Sequence, residues 1–138
     1  MSLRRMGLGT LIMVVILVGS AWRARVEAQP GTKQSVRGGG VTVAVTPLNE
    51  PGDAPKFLVS MNTHSVNLDV YEFKEIVWLR DGRGGELAPT AVKDAEGGGH
   101  HRSAILQFAW PEPKPKSLEV VVKGVAGVPE RVFRWMIE

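Results

Sequence analysis

From residue 41 onward, short apolar runs alternate with polar positions at a period of two. VTVAVT places Val41, Val43 and Val45 on one side and Thr42, Ala44 and Thr46 on the other, the pattern of a half-buried strand. KFLVSMN sets Phe57, Val59 and Met61 against Leu58 and Ser60, and SAILQFAW sets Ala104, Leu106, Phe108 and Trp110 against Ser103, Ile105, Gln107 and Ala109. SLEVVVKGV does the same with Leu118, Val120 and Val122, and RVFRWMI with Phe133, Trp135 and Ile137 opposite Arg134. EIVWLRD is apolar on both sides and runs into GRGGE, which predicts a central strand closed by a tight glycine turn. ELAPTAV carries Pro89 and suits an edge strand or a bulge. VNLDV, between them, is either a strand of its own or part of a connection.

No stretch after residue 41 has helical spacing, and turn residues punctuate the runs. This predicts an all-β domain over 41–138, an antiparallel immunoglobulin-like β-sandwich of seven or eight strands. Trp78, Trp110 and Trp135 are its expected core aromatics, each able to bury roughly 200 Å².

The first 40 residues read differently. Arg4 and Arg5 precede the apolar run MGLGTLIMVVILVGSA, and Val26 and Ala28 stand where a leader is cut before Gln29. Residues 1–28 are therefore expected to form a hydrophobic signal helix, either removed or, since the run approaches the roughly 17 residues that span a bilayer, retained as an anchor. QPGTKQSVRGGG, residues 29–40, reads as a flexible linker. The expected location is outside the cytoplasm, periplasmic or secreted, with membrane contact only through an uncut leader.

Charge alters the picture once the leader is set aside. Of 17 Lys and Arg, four precede residue 29, and of 14 Asp and Glu only Glu27 does, so residues 29–138 carry 13 of each. The basic pI thus belongs to the leader, and a nucleic-acid partner is not expected. The sequence has no cysteine, so no disulfide supports the domain and its core must.

Candidate chemistry concentrates in three histidines, His64 in MNTHSV and His100 and His101 in GGGHHR. Imidazole is the commonest protein ligand for zinc and copper, so these three are the candidate metal ligands. Met61, Asp94 and Glu96 are supplementary candidates. His100 and His101 share an ion only if the glycines bend the chain, and His64 lies at their end of the domain only if VNLDV is not an independent strand. The alternative is that all three are loop histidines bonded to backbone or water. A type 1 copper centre is excluded for want of a thiolate.

In MNTHS, Asn62, Thr63 and Ser65 suit a strand-ending turn. Glu130 and Arg131 predict an exposed charged pair at the start of the last strand. With Asn62 and Arg102 they are the candidate contacts for an envelope protein partner. No nucleophile elbow, paired carboxylates or phosphate-binding loop is present, so no enzymatic activity is expected.

The stretches NTHSV, LRDGRGGELAP, GGGHHR and GVPERVFRW, spread over Asn62 to Trp135, resemble those of small exported bacterial proteins of unknown function. The strand ending in Asn followed by a strand ending LRD is also similar to immunoglobulin-like extracellular domains. The resemblance implies a compact bacterial β-sandwich without enzymatic activity. The functional expectations are a partner-binding or accessory module of the envelope, or a periplasmic copper- or zinc-binding protein.

Overall fold

A computed structural model describes residues 31–48 and 52–137. The expected leader and the first two residues of the expected linker lie outside the described residues. Those described form nine antiparallel strands in two sheets, with two short helical turns. None of their helices is long and apolar enough to cross a membrane.

The first sheet has the order β1 (Gln34–Gly38), β2 (Val41–Pro47), β3 (Lys56–Thr63), β7 (His101–Gln107), β6 (Ala91–Gly98). The second has the order β5 (Glu86–Leu87), β4 (Val77–Arg80), β8 (Ser117–Val125), β9 (Val128–Met136). One apolar core lies between them. Val41, Val43, Val45, Phe57, Val59, Met61, Ala104, Leu106 and Phe108 come from the first sheet and the end of β7. Val77, Leu79, Leu118, Val120, Val122, Phe133 and Trp135 come from the second. In β2, β3, β7, β8 and β9 these inward residues follow the period of two read from the sequence.

The core aromatics differ in part from those expected. Phe57, Phe108, Phe133 and Trp135 form the central cluster, with Phe57 and Trp135 ring centroids 5.4 Å apart. Trp110 is half-buried at the rim, where its indole N–H donates to Asp53 O at 2.9 Å. Trp78 faces outward because Val77 and Leu79 take the inward positions of a strand only four residues long. Its indole donates to Glu75 O, and the Lys123 ammonium lies 5.1 Å from its ring centroid.

Two connections also differ, and VNLDV takes the second of its two readings. VNLDV is no strand, because Leu68–Val70 form a single 3-10 turn in which Asn67 Oδ1 accepts from Asp69 N at 3.0 Å. The first residues of EIVWLRD belong to one helical turn, α1 (Phe73–Ile76), whose Phe73 is buried in the core. Pro89 falls between β5 and β6, and the edge strand runs further, over Ala91–Gly98, with a bulge between Lys93 and Glu96.

The segment read as a linker includes β1, which pairs with β2 from Gln34↔Val45 to Gly38↔Val41. Side chains join β1 to β9, at the edge of the other sheet. Gln34 Nε2 donates to Arg134 O at 2.7 Å, Trp135 Nε1 to Thr32 O at 2.9 Å, and Arg131 Nη2 to Gly38 O at 2.6 Å. The β1–β2 turn approaches the β8–β9 turn so closely that a Cβ on Gly39 would stand 2.1 Å from Ala126 O. A larger residue cannot occupy that position without displacing one of the turns.

Candidate functional site

The three histidines meet at one end of the five-stranded sheet, on its outer face. Since VNLDV is not a strand, β3 and β7 lie side by side, and the turn after β3 and the β6–β7 turn share an end of the fold. Thr63 N donates to His100 O at 3.0 Å, joining the two turns directly.

Each turn has a local cause. Thr63, buried at the end of β3, donates its hydroxyl to Gly40 O at 2.8 Å and accepts from Ser65 N and Val66 N at 3.2 Å each. This fixes the bend that carries His64. Gly99 and His100 form the two-residue turn between Gly98 and His101, with Gly99 at a φ of +61°. Gly99 is held from both sides, its N–H donating to Asp69 Oδ1 at 2.9 Å and its carbonyl accepting from Leu68 N at 2.8 Å. Gly97 permits the hairpin to close. Its φ is +81° and a Cβ there would meet His101 O at 2.1 Å.

Cross-strand register then builds a polar row. Arg37 on β1 stands opposite Thr42, Thr42 opposite Asn62, and Asn62 opposite His101. With Gly40, Thr63, His64 and His100 these residues line a depression of about 340 Å³. Within it, Asn62 Oδ1 accepts from His101 Nδ1. Among the described residues, the side chains of Arg37, His64 and His100 have no hydrogen-bonding or ionic partner.

The supplementary metal-ligand candidates are not in this site. Met61 is adjacent to Asn62 in sequence, so the strand turns it to the opposite side, and it is fully buried in the core. Asp94 and Glu96 lie on the exposed edge strand β6, Asp94 within its bulge at a φ of +50° and Glu96 opposite Ser103. Neither lines the depression. Among the described residues, no three His, Asp or Glu side chains are grouped so as to hold one metal ion.

Two of the expected partner contacts make internal hydrogen bonds. Arg102 shares the inward parity of Ala104, and its guanidinium reaches over Phe73, 5.1 Å from the ring centroid, to donate to Leu68 O at 2.8 Å and to Tyr71 O. It pins the crossover between the sheets to β7. Arg131 is 1 % exposed rather than half of a surface pair, because it shares parity with Phe133 and Trp135. Its Nη1 donates to Val125 O at 2.9 Å, while its Nε has no partner among the described residues. Burial lowers its pKa from the ordinary value.

Glu130 is exposed, on the outer face of the second sheet. It pairs with Arg80, which also binds Glu86 at 2.7 Å, and Glu86 binds Lys123 at 2.7 Å. The Arg80 guanidinium holds the Glu130 carboxyl below its usual range, and Lys123 followed by Arg80 does the same for Glu86. Arg80 is raised in turn by Glu130 and then Glu86.

Compared with known proteins, the chain matches no family model, no curated protein and no solved structure.

Arg37 and Thr42 were missed as site residues. Thr42 was legible from the parity that puts it on the same face as Thr46. Arg37 was not, because QSVRG lacks the apolar alternation that marks a strand.

Proposed function

We propose that the protein is an exported, non-catalytic module of the bacterial envelope, an immunoglobulin-like sandwich that binds a partner protein through the histidine end of its five-stranded sheet. One observation carries this reading. The row Arg37, Thr42, Asn62 and His101 crosses four strands and is joined by His64 and His100 from two turns, so polar side chains converge where no packing requirement calls for them. Rigid strands positioning polar groups, with adjacent turns completing the face, make a preorganised binding surface.

Site-directed photo-crosslinking in cells tests the assignment. A crosslinker at Ser35, exposed one row from Arg37 on the same outer face, is expected to form a discrete protein adduct. One at Val132, exposed on the opposite sheet, is expected to form none. Equal adducts at both positions, or no adduct at Ser35, would remove the support for this face.

A second reading, a copper- or zinc-binding protein, is favoured by the contact between Asn62 and His101. A ring whose Nδ1–H is held by an oxygen acceptor presents an oriented Nε2 lone pair, the arrangement of many metal-bound histidines. His64 and His100 would then swing toward it. Calorimetric titration with Zn(II), Cu(II) and Cu(I) separates the readings. Binding abolished by a His100→Ala/His101→Ala double substitution supports the metal, and binding indifferent to it does not.

A further inference from the structure

The electrical character of the depression narrows the ligand, an inference that rests on this face being the binding face. Its lining comprises a guanidinium, three imidazoles, two threonines, a carboxamide and a glycine, with no carboxylate. The nearby acids are committed elsewhere or lie outside it. Asp69 accepts from Gly99 N, and Glu96 stands one cross-strand row away, opposite Ser103.

A cation entering the depression meets the Arg37 charge with no carboxylate in the lining to offset it. An anion meets donors. Arg37 offers a fork of N–H groups suited to two oxygens, and it has no ion-pair partner among the described residues. His64 and His100 each carry a ring N–H in either protonation state, and Thr42 adds a hydroxyl. Asn62 contributes in a further way. Its oxygen is taken by His101, so the group left to face a ligand is its NH₂. The depression, about 340 Å³ and open to solvent, has room for a small oxyanion and its remaining hydration.

We infer that the depression binds an oxyanion, a carboxylate or phosphate group of the partner, with Arg37 as the anchoring cation and His64, His100 and the Asn62 amide as donors around it. The contact is exposed and therefore screened by salt, so an isolated anion binds weakly and the rest of the partner surface supplies the remaining affinity.

The test is an NMR titration of the purified protein at fixed ionic strength, with inorganic phosphate in one series and succinate in another. Saturable shifts at Arg37, Asn62, His64 and His100, with Val132 unmoved, are expected for at least one anion. The tighter of the two names the class of group. Arg37→Gln should weaken that binding about fivefold, the scale of one exposed charge contact. Lys93→Gln, which removes a cation elsewhere on the same sheet face, should leave it unchanged.

Shifts that fail to saturate with both anions overturn the inference, as does binding insensitive to Arg37→Gln. Saturable binding of zinc chloride at these residues, with no response to either anion, overturns it in favour of the metal. The Ser35 crosslinking result stands apart from all of these, so a partner that meets this face without an anionic group is recognised as such.

Discussion

Asn62 and His101 face each other across β3 and β7, and the amide oxygen of one accepts the ring proton of the other. A carbonyl oxygen has no proton to give, so the neutral imidazole carries its hydrogen on Nδ1 and keeps Nε2 as an acceptor. Asn62→Leu removes that preference. Ring ¹⁵N shifts of His101 should move toward a mixture of tautomers, while stability falls by less than about 1 kcal/mol because the pair is exposed. A ring that keeps its tautomer in the variant would show that another group fixes it.

Thr63 controls where His64 points. Its hydroxyl makes three hydrogen bonds, to Gly40 O and from Ser65 N and Val66 N, in a buried position. Thr63→Val preserves the shape and strands all three backbone groups, so denaturant unfolding should show a loss of about 1 to 3 kcal/mol. The amide resonances of His64 to Val66 should shift more than those of β3. A loss below about 0.5 kcal/mol would mean that water replaces the hydroxyl.

Arg131 is a buried cation without an acidic partner among the described residues, so its two kinds of replacement should differ. Arg131→Ala leaves Val125 O and Gly38 O without their donor and opens a void, an expected loss of about 3 kcal/mol. Arg131→Met fills the space and relieves the cost of burying the charge, so its loss should be clearly smaller. If methionine proves as damaging as alanine, the two carbonyl contacts outweigh the desolvation.

Acid should weaken the fold from the outer face of the second sheet. Asp81 is held below the usual carboxyl range, first by Arg83 N–H and also by Gly85 N–H. Lys123 and Arg80 hold Glu86 down, and Arg80 holds Glu130 down. Groups depressed in the folded state contribute stability that is complete above the ordinary carboxyl range and is lost as pH falls through their folded values. The denaturation midpoint should therefore be level from about pH 5.5 to 7.5 and decline below about pH 4.3. Glu86→Gln should flatten part of that decline. These are surface groups, so the effect is small and is reduced by added salt.

The strands were legible wherever inward positions are uniformly apolar, as in Val41 to Val45 and Leu118 to Val122. Arg131 was misplaced because its charge outweighed its parity with Phe133 and Trp135, although a guanidinium can be buried when carbonyls receive it. Trp78 was misplaced for the converse reason: its size suggests the core, while the parity of Val77 and Leu79 sends it out. The shared end of His64 and His100 depended on whether VNLDV paired as a strand. Asn67, which caps a 3-10 turn there, decided that outcome without leaving a period to read. Arg37 entered the site only through β1, whose pairing comes from its neighbour β2 rather than from its own apolar content.

β1 has a consequence for solubility. β9 is nine residues long, contains Val132, Phe133, Trp135 and Met136, and closes its sheet on one side, the kind of strand that recruits a second chain into an intermolecular sheet. Gln34, Thr32 and Gly38 occupy that side through single side-chain contacts rather than a continuous ladder. Trimming the chain to Val41 removes those contacts, and the shortened protein is expected to self-associate more readily than the full one.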